Sequence, residues 1–169
     1  MLVAACSGAP PAARAPDSAE LSAVYAAVID SLRGVAPTVV VERRYTVDRQ
    51  APAERRRTYE WVVGQDSRYS MELLSALDSA REGEAILATA VATHPGVTLA
   101  DSLLAGRHAT PSLPTIGLSQ IGISRDHSHA VVLARMFCGP RCGLTGYFLL
   151  RRTRDGRWQM IGKVVTVVS

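Results

Sequence analysis

The chain contains the stretch Ala130-Val-Val-Leu-Ala-Arg-Met-Phe-Cys-Gly-Pro-Arg-Cys-Gly-Leu-Thr-Gly-Tyr-Phe-Leu-Leu-Arg151, in which a short turn joins two runs of strand-forming residues. β-Branched and aromatic residues favour strands, and Gly-Pro favours a turn. Cys138 and Cys142 flank this turn. Cysteines so placed can reach the roughly 4.4 to 6.8 Å between Cα atoms that a disulfide needs. The stretch therefore predicts a β-hairpin closed by a Cys138–Cys142 disulfide.

A structural disulfide predicts an oxidising compartment, because cytosolic proteins keep their thiols reduced. Closing so small a loop stabilises a fold by about 2 kcal/mol on the chain-entropy estimate. Two alternatives remain: a pair of free thiols in a cytosolic protein, and a redox role for Cys138 and Cys142, since Cys-Gly-Pro-Arg-Cys resembles the thioredoxin-type motif with one insertion. Catalytic dithiols gain thiolate character at the start of a helix. Strands flank this pair instead, which favours the structural interpretation.

Further strands extend this hairpin into a sheet. Residues 116–123 and 158–168 are strand-like, and short turns at residues 125–128 and 154–157 connect them to the hairpin. Asp155-Gly156 in the second turn is typical of a type I′ hairpin. Short links between consecutive strands predict a four-stranded antiparallel meander.

The N-terminal half predicts helices and one more strand. Asp17 and Glu20 are typical of a helix start, and apolar residues recur at helical spacing up to Gly34. We expect a strand from residue 38 to about 48, a loop or short strand over 50–67, a helix over 68–82 and a loop-rich passage at 95–113; residues 86–92 are apolar but ambiguous. The predicted fold is α+β: the meander plus an N-terminal strand, covered on one face by the N-terminal amphipathic helix and a second helix.

The first residues resemble a lipoprotein start. Val3-Ala-Ala-Cys6 is similar to the lipobox of bacterial lipoproteins, in which the cysteine becomes lipid-modified. The resemblance implies lipidation of Cys6, which would account for a third cysteine beside the predicted pair. Residues 1–16 are then a start and a flexible Ala/Pro-rich tether, and 17–169 are a single domain. A full signal segment also needs a basic start and 7 to 15 apolar residues. The alternative is a disordered N-terminus with an incidental cysteine.

The last 55 or so residues resemble a group of uncharacterised bacterial exported proteins and lipoproteins. The resemblance is carried by Leu118-Ser-Gln-Ile-Gly-Ile-Ser124, Cys138-Gly-x-x-Cys-Gly143, Tyr147-Phe-Leu-Leu150 and Asp155-Gly-x-Trp158. Pro140-Arg141 and Val167 depart from the pattern of this group. The resemblance implies an α+β protein of the cell envelope and brings no known activity.

Composition and motifs argue against several function classes. The net charge of +4 arises from 19 basic and 15 acidic residues, which is too small an excess for the one-faced basic surface of a nucleic-acid binder. No stretch reaches the roughly 20 apolar residues of a membrane-spanning helix. His129 and Cys138 lie at opposite ends of one predicted strand, about 30 Å apart at roughly 3.3 Å per residue, so they cannot share a zinc ion. We also find none of the common hydrolase or phosphate-loop motifs and predict no cofactor and no catalytic residue.

These observations predict a non-catalytic domain, lipid-anchored through Cys6 or secreted, that contacts another component of the bacterial envelope. Arginine and aromatic residues are enriched at protein interfaces. The candidate contact surface is accordingly Arg55, Arg56, Arg57, Tyr59 and Trp61. A loop without a partner is the alternative for this stretch. A small-ligand or enzymatic pocket between the helices and the sheet is the competing function.

Overall fold

The computed structural model describes residues 16–34, 38–43, 50–80, 84–100, 113–139 and 142–168. The helices are α1 (Ser18–Arg33), α2 (Pro52–Gln65), α3 (Met71–Ser79) and α4 (Glu84–Ala92), and the strands are β1 (Val39–Glu42), β2 (Val97–Ala100), β3 (Thr115–Ile123), β4 (His129–Gly139), β5 (Cys142–Arg152) and β6 (Trp158–Val168). The strands form one six-stranded sheet in the order β2-β1-β3-β4-β5-β6.

The predicted α+β class and the C-terminal antiparallel strands are confirmed in outline. β3, β4, β5 and β6 pair antiparallel in chain order, as short turns require. The sheet is larger than predicted and mixed, because β1 pairs in parallel with both β3 and β2. The loop-rich passage predicted at 95–113 contains β2, so that part of the prediction is wrong; residues 101–112 lie outside the described part.

Helices cover both faces of the sheet, so the prediction of one covered face is wrong. Successive side chains of a strand point to opposite faces. Ala130, Val132 and Ala134 of β4 face the first core, with α1 and α4, whereas Val131 and Leu133 face the second core, with α2 and α3. The fold therefore has three layers, with one apolar core on each side of the sheet.

The passage over 50–67 is neither a loop nor a short strand, because α2 occupies most of it. Pro52 stands at the first helical turn, where its missing N–H costs nothing, and Glu54 suits the positive end of the helix dipole. Tyr59 and Val62 are buried in the second core at a spacing of three residues. Residues 86–92, left ambiguous by the sequence, belong to α4.

The other predicted elements differ mainly at their ends. Asp17 caps α1 by accepting the Glu20 N–H at 2.8 Å, as predicted. The second predicted helix is shorter, since α3 begins after the Ser70 cap. β1 is described only to Glu42, and the predicted strand end near residue 48 lies outside the described residues. The turn at 154–157 is not type I′: only Gly156 has a positive φ, of 82°, and its N–H donates to the Thr153 carbonyl.

A bulge in β3 is held by two hydroxyl groups. The register of β3 against β4 shifts between Leu118 and Ile121. At this shift the buried Tyr25 hydroxyl of α1 donates to the Ser119 carbonyl at 3.0 Å, and the Ser119 hydroxyl accepts the Leu133 N–H at 2.9 Å. The bulge therefore leaves these buried backbone groups with hydrogen-bond partners, and it fixes α1 against the sheet.

Gly122→Ala should test how closely α3 approaches β3. A Cβ at Gly122 would lie 2.9 Å from both the Leu73 carbonyl oxygen and the Leu77 nitrogen, which are backbone atoms that cannot swing away. We expect Gly122→Ala to lower the free energy of unfolding by about 1 to 3 kcal/mol in urea titration. A Cβ at Gly64 of α2 meets nothing within 4 Å, so Gly64→Ala should raise stability by up to about 1 kcal/mol. Equal effects of the two changes would contradict this packing.

Candidate functional site

The predicted pairing of Cys138 with Cys142 is confirmed. Their sulfur atoms lie at bonding distance and their Cα atoms are 5.0 Å apart, across the hairpin that joins β4 to β5. Gly139, with a φ of 137°, adopts a conformation that other residues resist, and Gly139 pairs with Cys142. Both cysteines belong to strands. The disulfide therefore closes the end of the hairpin, and neither cysteine lies in the first turn of a helix, the position that activates catalytic thiols.

The five residues of the predicted contact surface divide between the two sides of α2. Arg55 and Tyr59 face inward, where the Arg55 guanidinium donates to Asp78 Oδ1 of α3 at 2.7 Å and the Tyr59 hydroxyl donates to the same oxygen at 3.3 Å. Burial and the Asp78 carboxylate raise the pKa of Tyr59, so its hydroxyl stays protonated. The Tyr59 ring also packs edge-on against Tyr147, with ring centroids 5.9 Å apart. These two residues attach α2 to the core and to α3.

The other three residues lie on the outer side of α2. Arg56, Arg57 and Trp61 are exposed, and 45% of Trp61 is accessible to solvent. Arg56 pairs with Glu60 one turn further along, at 3.1 Å. Arg57 and Trp61, four residues apart, share a helix face. The part of the surface open to a partner is therefore Arg56, Arg57 and Trp61, on a helix fixed from below.

Glu20, which the sequence marks only as part of a helix start, has a buried carboxylate at the opposite end of the sheet from the disulfide. The Glu20 side chain is only 4% exposed, and its two oxygens contact His127 Nδ1 at 3.0 Å and Arg152 Nη1 at 3.3 Å. His127 has a φ of 55°, the only positive value among the non-glycine residues described. This cluster ties the first turn of α1 to the β3–β4 turn and to the end of β5.

The β3–β4 turn is itself organised around Asp126. Its carboxylate accepts the Ser124 hydroxyl at 2.6 Å, the Ser128 hydroxyl at 2.7 Å and the Ser128 N–H at 3.0 Å. These hydrogen bonds lower the pKa of Asp126 to about 2. The Ser128 hydroxyl also lies 2.7 Å from His129 Nδ1. The Ser124 and Ser128 hydroxyls both donate to this carboxylate, so the arrangement holds the turn together.

Metal ligands do not converge in the part of the chain that the structure describes: no three or more His, Cys, Asp or Glu side chains there come together so as to hold an ion. His129 and Cys138 do lie at opposite ends of β4. None of the described helices is long and apolar enough to cross a membrane. Cys6, the predicted lipidation site, and most of the predicted tether lie outside the described residues.

Comparison with known proteins gives no relative, because no protein-family model, no curated protein and no solved structure matches this chain. The resemblance to bacterial exported proteins therefore stays an expectation.

Replacing both cysteines, in Cys138→Ser/Cys142→Ser, should lower the free energy of unfolding by about 2 kcal/mol, because the unfolded state of the variant is no longer constrained by a closed loop of five residues. Urea titration of the variant and of the reduced and oxidised wild type measures this. Reduced wild type should match the variant. No change on reduction would mean that the bond is not closed in the isolated protein.

The depressed pKa of Asp126 makes a pH-dependent prediction. A carboxyl group whose pKa is lower in the folded than in the unfolded state, here about 2 against an ordinary value of 3.8, stabilises the fold above pH 4 and loses that contribution as the pH falls toward 2. The melting temperature of Asp126→Asn should therefore lie below that of the wild type at pH 6, and the difference should shrink between pH 4 and pH 2. A difference that stays constant down to pH 2 would contradict the hydrogen-bonded turn.

Proposed function

We propose that this chain is a non-catalytic, partner-binding domain of the bacterial envelope, lipid-anchored through Cys6 or secreted, and that it presents the outer face of α2 to another protein. The observation that carries the proposal is the exposed Trp61 beside Arg57 and Arg56. Tryptophan and arginine are the residues most enriched among those that dominate binding energy. An exposed tryptophan on an ordered helix is therefore a candidate anchor for a partner.

The support beneath α2 strengthens this interpretation. Tyr59 and Val62 fix the helix in the second core, and the Arg55–Asp78 ion pair joins it to α3. Binding through a rigid element avoids the entropy cost of ordering a loop. The loop alternative for residues 50–67 loses its basis, since Trp61 is carried by a packed helix.

The clusters of polar side chains favour a structural over a catalytic role for the domain. The Glu20 carboxylate is engaged by His127 and Arg152, and the Asp126 carboxylate by its neighbouring serines. The described interfaces between helices and sheet are built from apolar residues of the two cores. Because apolar side chains of both cores occupy these interfaces, a pocket with converging polar groups between the helices and the sheet is the weaker proposal.

The disulfide supports the envelope part of the proposal, because structural disulfides persist in oxidising compartments. Lipidation of Cys6 rests on the lipobox resemblance. A chain anchored there would hold its domain within a short tether of the membrane.

A photo-crosslinking amino acid at position 61 should test the contact. Introduced into the full chain in its native host, it should yield an adduct with a protein of the envelope fraction, and Arg57→Glu in the same chain should reduce the yield severalfold. The matched control is the same crosslinker at position 154, an exposed arginine in the β5–β6 turn. Equal adduct yields at positions 61 and 154, or recovery of the chain from the cytosol with free thiols at Cys138 and Cys142, would overturn the proposal.

A further inference from the structure

A straight line of exposed side chains runs along the outer face of α2. Ala53, Arg57, Glu60 and Gly64 follow one another at intervals of four, three and four residues, the spacing that keeps side chains on one helical face. All four are exposed, and Trp61 borders the line. We call this line, with Trp61, the α2 stripe.

The α2 stripe is complementary to itself when two copies are placed antiparallel. With the two-fold axis midway between Arg57 and Glu60, Arg57 of one chain lies opposite Glu60 of the partner subunit, and the reverse pair follows from the symmetry. The same register places Ala53 opposite Gly64 of the partner subunit at each end. Opposite charges in the centre and small residues at the ends suit the close approach of two helices. Any other antiparallel register or a parallel arrangement loses the two charge pairs.

Gly64 gives independent support, because none of the residues that the structure describes packs closely enough against it to require a glycine. A Cβ at this position would project into open space, and a glycine in a helix costs roughly 1 kcal/mol relative to alanine. Glycine is useful where another backbone must come close. The partner subunit's Ala53 would lie over Gly64 in the antiparallel arrangement.

The charges of the α2 stripe are available for such pairing. Glu60 Oε1 accepts Arg56 within the helix at 3.1 Å, and a carboxylate has further acceptor sites on both oxygens. Arg57 makes no ion pair with any other residue that the structure describes. Its guanidinium would lie between Glu60 and Trp61 of the partner subunit. It would then gain both a charge pair and a cation–π contact with the indole.

We propose that the α2 stripe is a symmetric interface between two copies of this chain, with the helices antiparallel. This deepens the proposed function and rests on it, because it names a second copy as one partner of the α2 face. A contact along one helix buries less than the roughly 1,200 Å² of a standard interface, so the dimer in solution is weak. Two copies anchored in one membrane would meet at a higher effective concentration.

Charge reversal in trans tests the interface. The variants are made in the full chain with Cys6→Ser, which prevents thiol crosslinking. In Arg57→Glu a glutamate faces a glutamate at both charge pairs, and in Glu60→Arg an arginine faces an arginine at both. We expect each variant alone to weaken self-association at least about tenfold in sedimentation equilibrium at low salt, where surface charges act most strongly. An equimolar mixture of the two variants should associate to within about threefold of the wild type, because every Glu then faces an Arg.

Three measurements keep the proposal falsifiable. Arg154→Glu, an equal change of charge away from α2, should leave the association constant unchanged, and the double variant Arg57→Glu/Glu60→Arg should regain self-association. Circular dichroism melts verify that each variant is folded. A wild type that stays monomeric up to about 1 mM, or a mixture that associates no better than either variant alone, overturns the symmetric interface. If position 61 then still crosslinks to a different envelope protein, the proposed function stands without it.

Discussion

The burial of both faces of β4 and β5 is the constraint on which the rest of the structure depends. Residues 130–134 and 146–150 are buried without interruption, and alternation sends neighbouring side chains to opposite cores. A sheet that is apolar on both sides needs a helical layer on each. The chain therefore supplies α1 and α4 to one face and α2 and α3 to the other. The position of α2, and with it that of Trp61, follows from apolar residues that lie some 70 to 90 positions further along the chain.

Polar ties then fix how the layers sit on the sheet. Hydrophobic burial is non-directional, so it leaves the angle and register of a helix loosely defined. The Tyr25 hydroxyl at the β3 bulge and the Glu20 carboxylate at His127 and Arg152 hold α1 at separate points. On the other face, Arg68 binds the Asp66 carboxylate and donates to the Ile161 carbonyl, which joins the α2–α3 link to β6. A buried ion pair gains little net stability against its desolvation. The main effect of these polar contacts is therefore to define the orientation of the helices on the sheet, and their net contribution to stability is small.

The sequence predicts local features of this fold better than its layers. Asp17, Cys138 and Cys142 act through neighbours a few residues away, so their roles follow from spacing alone. Apolar residues alternate with polar ones at Tyr59, Trp61 and Val63, as in a strand. The segment is nevertheless a helix, and its buried residues are Tyr59 and Val62. The unbroken apolar run of residues 130–134 signals a strand buried on both faces, and this signal points to two helical layers. The contact of Glu20 with His127 spans 107 residues, and no periodicity in either segment predicts it.

The inner side of α2 stabilises the fold, whereas its outer side is the surface that we propose for binding a partner. Tyr59, Val62 and Arg55 fix the helix, so substitutions among its exposed residues change the surface without removing core contacts. The outer side carries a tryptophan, an unpaired Arg57 among the described residues and a glycine that intrachain packing leaves unexplained. Gly64 weakens the helix and Trp61 leaves apolar area in water, whereas the exposed Arg57 is simply hydrated. A partner that covers the indole, pairs the arginine and approaches the backbone at Gly64 would account for all three features with one contact.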